Sequence, residues 1–306
     1  MPQKVVLISD AGIDGAFAIA LALYDPDLEV LGLLATAGNV SASQATKNLR
    51  IVLDQVDPPR LPRLGAAPEV DYGTDGRRLH GPTGLGNTDF PCAPLHHLPP
   101  SEKLLAELVR LYPREVTVIC MGPLTVLTRA FDLHPDLPDQ IKRIVVVGGS
   151  LQEPGNAGPV TEFHFSCDPP AARRVVQCQA NITIVPLDLM RKALYAPTEL
   201  LGDDTEISPA YHFLRQVVPF GIAATSHLYG VEGFHLKDVL GIAAVALPHA
   251  VHTRAMHMDV ETQGELTRGM SVFDRRSWEN PTHNVSVAIE IDVRELREYT
   301  RRVIGY

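Results

Sequence analysis

The sequence predicts an α/β fold, a doubly wound, mostly parallel sheet with a helical cap and added C-terminal strands. Three observations lead to it. Short β-branched runs alternate with longer amphipathic ones along the first two thirds of the chain. The short runs are apolar almost throughout, as in strands covered on both faces. The turns that follow them collect carboxylates, amides and glycines, at the carboxyl ends where an open α/β sheet keeps its ligand.

Taken in order, KVVLIS (4–9), LEVLGLLAT (28–36), EVTVICM (115–121), RIVVVGG (143–149) and NITIVPL (181–187) read as strands. Residues 15–25, 42–56, 101–112, 124–133 and 168–178 have helical spacing. Their alternation implies right-handed βαβ units. Residues 66–100, rich in Pro, Gly and His, are expected to form a long insert at the rim. Residues 190–235 read as mostly helical, a lid or cap. HMDVETQG (257–264) and SVAIEIDV (286–293) add two strands, and a helix closes the chain near 304. No repeat, low-complexity tract or linker divides the sequence, so residues 1–306 read as a single domain.

Composition narrows the function classes. The 306 residues are 45% hydrophobic and 21% charged, ordinary for a soluble globular protein. A net charge of −9 argues against a nucleic-acid partner, which usually needs a basic face. No apolar stretch approaches the roughly 20 residues of a membrane span. The N-terminal MPQKVVLISD reaches an aspartate too soon for a signal peptide. Four cysteines show neither CxxC spacing nor the density of a disulfide scaffold. A reduced, cytoplasmic protein is the expectation.

Asp10 and Asp14 stand in the turn after the first strand. By position alone they could simply cap the next helix. Asn39 follows a glycine, as turn residues do, and His80 would ordinarily be a loop histidine. GGSLQEPGN (148–156) has neither GxGxxG nor GxxxxGK[ST] and is no phosphate cradle. The histidines show no zinc spacing.

Eight segments in one order lift these residues above their ordinary readings: SDAGIDGA (9–16), TAGNVSASQATKN (36–48), HGPTGLGN (80–87), MGPLTVLTRA (121–130), VVVGGSLQEPGN (145–156), TEFHFSCDPPAA (161–172), LKDVLGIAA (236–244) and DVETQGELTRGMSVFDRR (259–276). In this order the chain resembles the inosine–uridine-preferring nucleoside hydrolase family over nearly its whole length. The resemblance implies hydrolysis of the N-glycosidic bond of ribonucleosides through an oxocarbenium-like ribosyl cation. It implies a small-molecule nucleoside or ribose as ligand and a homodimer or homotetramer as assembly. Asp10 would activate water and bind calcium with the Thr125 carbonyl and Asp238. Asp14, Asn39, Asn156, Glu162, His164 and Asp238 would hold the ribose. His80 and Lys237 would serve catalysis, Lys237 on the leaving-group side.

The chain departs from the family's D-x-D-x-G-x-D-D pattern at Ile8 and Gly15, and has Lys237 and His164 where the family usually has histidine and asparagine. Gly15 stands where a carboxylate grips calcium, so calcium binding is expected to be weak or absent, with Lys237 neutralising Asp10 or Asp238 instead. A catalytically weak, riboside-binding member of the family is the alternative expectation. A phosphotransferase of the DxD type is disfavoured, because only one aspartate of such a pair stands at position 10.

Overall fold

The computed structural model describes residues 1–202, 208–276 and 282–304. Its strands are β1 (Gln3–Ser9), β2 (Leu28–Ala35), β3 (Arg63–Gly65), β4 (Thr117–Met121), β5 (Arg143–Val147), β6 (Ile182–Val185), β7 (Leu194–Tyr195), β8 (Phe234–His235), β9 (Val251–Val260), β10 (Ser271–Asp274) and β11 (Val285–Ile291). Nine of them form one sheet in the order β10-β9-β11-β6-β5-β4-β1-β2-β3; β7 and β8 pair separately. From β3 to β6 every pairing is parallel, as is that of β6 with β11, whereas β9 joins β11 and β10 antiparallel.

The parallel order 3-2-1-4-5-6 reverses direction between β1 and β4. That reversal point opens a crevice at the carboxyl ends of the strands, where ligands of doubly wound sheets bind. Alternate strand residues serve two cores. Leu7, Leu33, Met121 and Val147 face one layer, and Ile8, Leu34, Cys120 and Val146 face the other. Ile8, one of the departures from the family pattern, is therefore a fully buried core side chain.

Each predicted strand and helix of the parallel half is present, with ends shifted by at most two residues and the helix Ala42–Val56 matched at both ends. The fifth strand stops at Val185 because Pro186 cannot extend the ladder, and Leu187–Met190 turns helical. Two short edge strands went unread. In β3, three residues follow a Pro-rich run, and β10 has only four, too few for a visible period. The cap is helical as expected at Pro197–Leu201 and Pro209–Tyr229, with β7 and β8 at its base; its residues 203–207 lie outside the described residues. No described helix is long and apolar enough to cross a membrane.

Candidate active site

The turn after β1 builds the floor. Asp10 is wholly buried; its Oδ2 accepts the Asn39 backbone N–H at 2.9 Å and its Oδ1 the Asn39 side-chain amide at 2.8 Å. Ala11 has a φ of 54°, a conformation that non-glycine residues adopt at a cost. Gly12 follows because a Cβ there would stand 2.7 Å from the Asn39 amide and 2.9 Å from the His80 ring. The helix Ile13–Tyr24 starts with Asp14 in its first turn, and no side chain caps it. Asp14 is thus not spent on capping.

Above this floor lies a cavity of about 370 Å³. Asp14, Asn39, His80, Asn156, Glu162, His164, Lys237 and Asp238 all line it. Asp10 lies beneath them, beside Asn39 and His164. Thr125 does not line it. Its hydroxyl donates to Asp168 at 2.6 Å and accepts from Tyr72, and its carbonyl accepts from the Thr128 hydroxyl at 3.0 Å.

Asp14 Oδ1 is buried with no hydrogen-bond partner. The nearest cation candidate, His80 Nδ1, is 3.7 Å away, but that nitrogen accepts the Ile13 N–H at 3.1 Å. A ring nitrogen that accepts carries no proton, so this contact is no ion pair. Burial agrees, pushing the His80 pKa down to about 4, with Lys237 and His164 adding to it against Asp14. His80 is neutral and holds the turn that presents Asp14.

Glu162 accepts the backbone N–H groups of Gly149 and Phe165 through Oε2, at 3.2 and 3.3 Å. Asn156 Oδ1 accepts the Phe163 N–H at 2.8 Å, which leaves its amide hydrogens for the cavity. His164 donates from Nδ1 to the Val147 carbonyl at 2.8 Å, and its Nε2 stands 3.7 Å from Asp10 Oδ2. Burial opposes a charge on His164, but Glu162 and Asp10 outweigh it and raise its pKa. Of the two partners expected for Lys237, Asp10 has His164 as its basic neighbour instead, whereas Asp238 does feel Lys237, which lowers its carboxyl against burial. His164, in the helix Phe163–Cys167, reaches Asp10 because its ring is held on the Val147 carbonyl at the end of β5. Burial raises the Asp10 carboxyl to about 6, against His164 and the two Asn39 hydrogen bonds. Asp238 rises well above the carboxylate range, first through burial and then through Asp14 and Asp10.

Calcium takes six to eight oxygens. Gly15 offers none; a Cβ there would stand 3.2 Å from Asp238 Oδ2 and 3.0 Å from Ser9 Oγ. Both Asp10 oxygens and the Thr125 carbonyl already accept hydrogen bonds. Two carboxylates and one carbonyl do not make a full calcium cage.

A family model described as "Inosine-uridine preferring nucleoside hydrolase" matches residues 5–298. The chain belongs to that family. A Leishmania major protein named inosine-uridine preferring nucleoside hydrolase is 32% identical over 95% of this chain and 94% of its own. A plant nucleoside hydrolase structure superposes with a TM-score of 0.92 at 25% identity, over all of both chains. A purine-preferring ribonucleoside hydrolase from Gardnerella vaginalis gives 0.89 at 27% identity, over 99% of this chain and 98% of that one. Met190 and Tyr229 also line this cleft, and Tyr72 and Asp168 hold the Thr125 hydroxyl; sequence reasoning missed all four. Only Tyr229 had a local signal, an aromatic residue at a helix end followed by a left-handed glycine.

Proposed function

We propose that the cleft is the active site of a nucleoside N-ribohydrolase in which Asp10 activates the attacking water. The family gives the reaction: hydrolysis of the N-glycosidic bond of a ribonucleoside to ribose and free base. The observation that carries the reading is the orphaned, buried Asp14 Oδ1 in a cavity shared with Asn39, Glu162 and Asp238. A buried carboxylate oxygen without a donor costs free energy until a ligand hydroxyl supplies one. Vicinal ribose hydroxyls meet that need for Asp14 and Asp238 together, and the Asn156 amide and Glu162 take the remaining hydroxyl. Carboxylates around the ring then stabilise the positive charge that develops at C1′. Water held at Asp10 adds to C1′ and passes its proton to the carboxylate, while the base departs with the bonding pair.

The proposal extends to the ion. Calcium binds weakly or not at all, because Gly15 stands where a carboxylate would supply two of its oxygens. Titrating metal-free protein with calcium by calorimetry should show no site tighter than millimolar; micromolar binding overturns this part. Gly15→Asp should gain affinity if the cage is otherwise sound.

The chain is proposed to act as one domain, since β1, the turn after β2, the segment after β5 and the residues after the cap all reach one cleft. Four unpaired cysteines suit a reducing, cytoplasmic setting. The net charge of −9 suits a partner that is neither nucleic acid nor an anionic membrane. Edge strand β10, with Val272 exposed, would suit a homodimer or homotetramer. Incubation with a panel of purine and pyrimidine ribonucleosides, following base release, tests the reading. No release from any of them, at protein concentrations where ribose binds, would leave a riboside-binding protein instead.

A further inference from the structure

The ribose cavity continues into a second one of about 340 Å³, bounded by Leu187, Val231, Phe234, His235 and Arg191. Leu79, Asn156, Met190, Tyr229 and Lys237 line both, so they form the doorway between the two. The two sides differ in charge. Asp14, Glu162 and Asp238 line the first cavity, and among the described residues no carboxylate lines the second.

Lys237 is half-buried, and its side chain has no hydrogen-bond or ion-pair partner among the described residues. Arg191, the other cation of the second cavity, is paired with Glu153 at 3.1 Å. Lys237 is therefore the unpaired cation at the junction. Its charge is felt by Asp238, whose carboxyl it lowers against burial, but no hydrogen bond or ion pair among the described residues ties it there. Its field is felt on the base side, where burial and then Lys237 and Arg191 lower His235 to about 4. His80, also near 4, is neutral as well. Neither histidine is an imidazolium near neutral pH, so neither is a strong acid for a departing base.

We propose that the second cavity is an anion-stabilising seat for the departing base, with Lys237 as its charged residue, and that the preferred substrates are ribosides whose base leaves as an anion. The inference rests on the hydrolase reading above and deepens it. The C1′–N bond breaks with its electron pair on the base nitrogen, and the base leaves as an anion facing the Lys237 ammonium. Water oxygen bonds to C1′ and its proton goes to Asp10. The base anion takes up a proton from solvent after release. Carboxylates on one side of the breaking bond and a lone ammonium on the other favour this direction of electron flow. Uracil-type bases, with an acidic ring N–H and two carbonyls to spread the charge, fit it best. A riboside that is itself cationic, such as a pyridinium riboside, fits it worst.

Two measurements test this. In the first, calorimetry follows binding of 5-nitrouracil, an anion at neutral pH, to the wild type and to Lys237→Met and Lys237→Arg. Lys237→Met should weaken binding at least tenfold and Lys237→Arg by much less, with ribose affinity changed less than threefold in both. In the second, turnover is compared for uridine, 5-fluorouridine and 5-nitrouridine. Lys237→Met should lose about 10²–10³-fold on uridine, the scale of removing one charge-stabilising group, and tenfold or less on 5-nitrouridine, whose base needs least help. Equal anion affinity in wild type and Lys237→Met, or a uniform loss across the three uridines, overturns the inference. Anion binding at Lys237 without base release from any nucleoside would instead sink the hydrolase reading and leave the anion seat standing.

Discussion

Asp10 and Asp14 share one turn yet meet different demands. Asp10 has both oxygens occupied by Asn39 and lies beside His164, while Asp14 keeps one oxygen unpaired. Asp10→Asn keeps the shape but removes the proton acceptor. Turnover should fall by roughly two to four orders of magnitude, the scale of losing a general base, with the melting temperature little changed. Asp14→Ala removes the orphaned oxygen, so free ribose should bind about 1–3 kcal/mol more weakly by calorimetry, the cost of hydrogen bonds left unmade. A loss confined to turnover, with ribose affinity intact, would take Asp14 out of the clamp. The two aspartates were legible because their turn is one of eight family-like segments in order; by position after the first strand alone they could have been helix caps. Tyr72 and Asp168 were not, since what matters is that each meets Thr125, across 53 and 43 residues of sequence.

Among the elements, the helix Val239–Ala246 shows how packing positions chemistry. It is buried along almost its whole length, with Asp238 as its N-cap residue. A Cβ on Gly241 would stand 2.6 Å from Val147 Cγ2 and 3.1 Å from Ile119 Cγ2, so the glycine lets the helix lie directly on β4 and β5. Gly241→Ala gains about 1 kcal/mol of helix propensity, but overpacking a tight core costs about 1–3 kcal/mol. Val147 is β-branched and held within a strand, so it cannot turn aside. The clash should win: the denaturation midpoint falls, and turnover falls with it because Asp238 moves off the sheet. A midpoint above wild type would show that the helix has room to spare. The apolar run of this helix was readable in the sequence. Its depth in the fold was not, because burial on all sides erases the amphipathic period that marks a helix.

At the scale of the whole molecule, the doubly wound class was legible because five of the six strands in the order 3-2-1-4-5-6 are apolar runs, the sixth, β3, being only three residues long. The antiparallel β10–β9–β11 extension was only partly so, as edge strands are short and face solvent. The same burial that makes the core also sets how stability depends on pH. His80 is 4% exposed, and the groups around it are Asp14, Lys237 and His164, with the edge of Phe234 against its ring. In the folded chain it resists protonation down to about pH 4, whereas an unfolded histidine takes a proton near 6.5. Between those values the unfolded chain binds more protons, so folding stability rises with pH across the window and is lost as pH falls through it. At about 1.4 kcal/mol per unit the loss is of order 3 kcal/mol, large beside the stability of a typical domain. His80→Asn can still accept the Ile13 N–H but does not titrate in this range. Its stability at neutral pH is not the readout; the slope is. Urea unfolding from pH 7 to pH 4 should show a shallower decline in the variant than in the wild type. Parallel curves would mean that His80 is protonated in the folded protein, and that the turn presenting Asp14 is held in some other way.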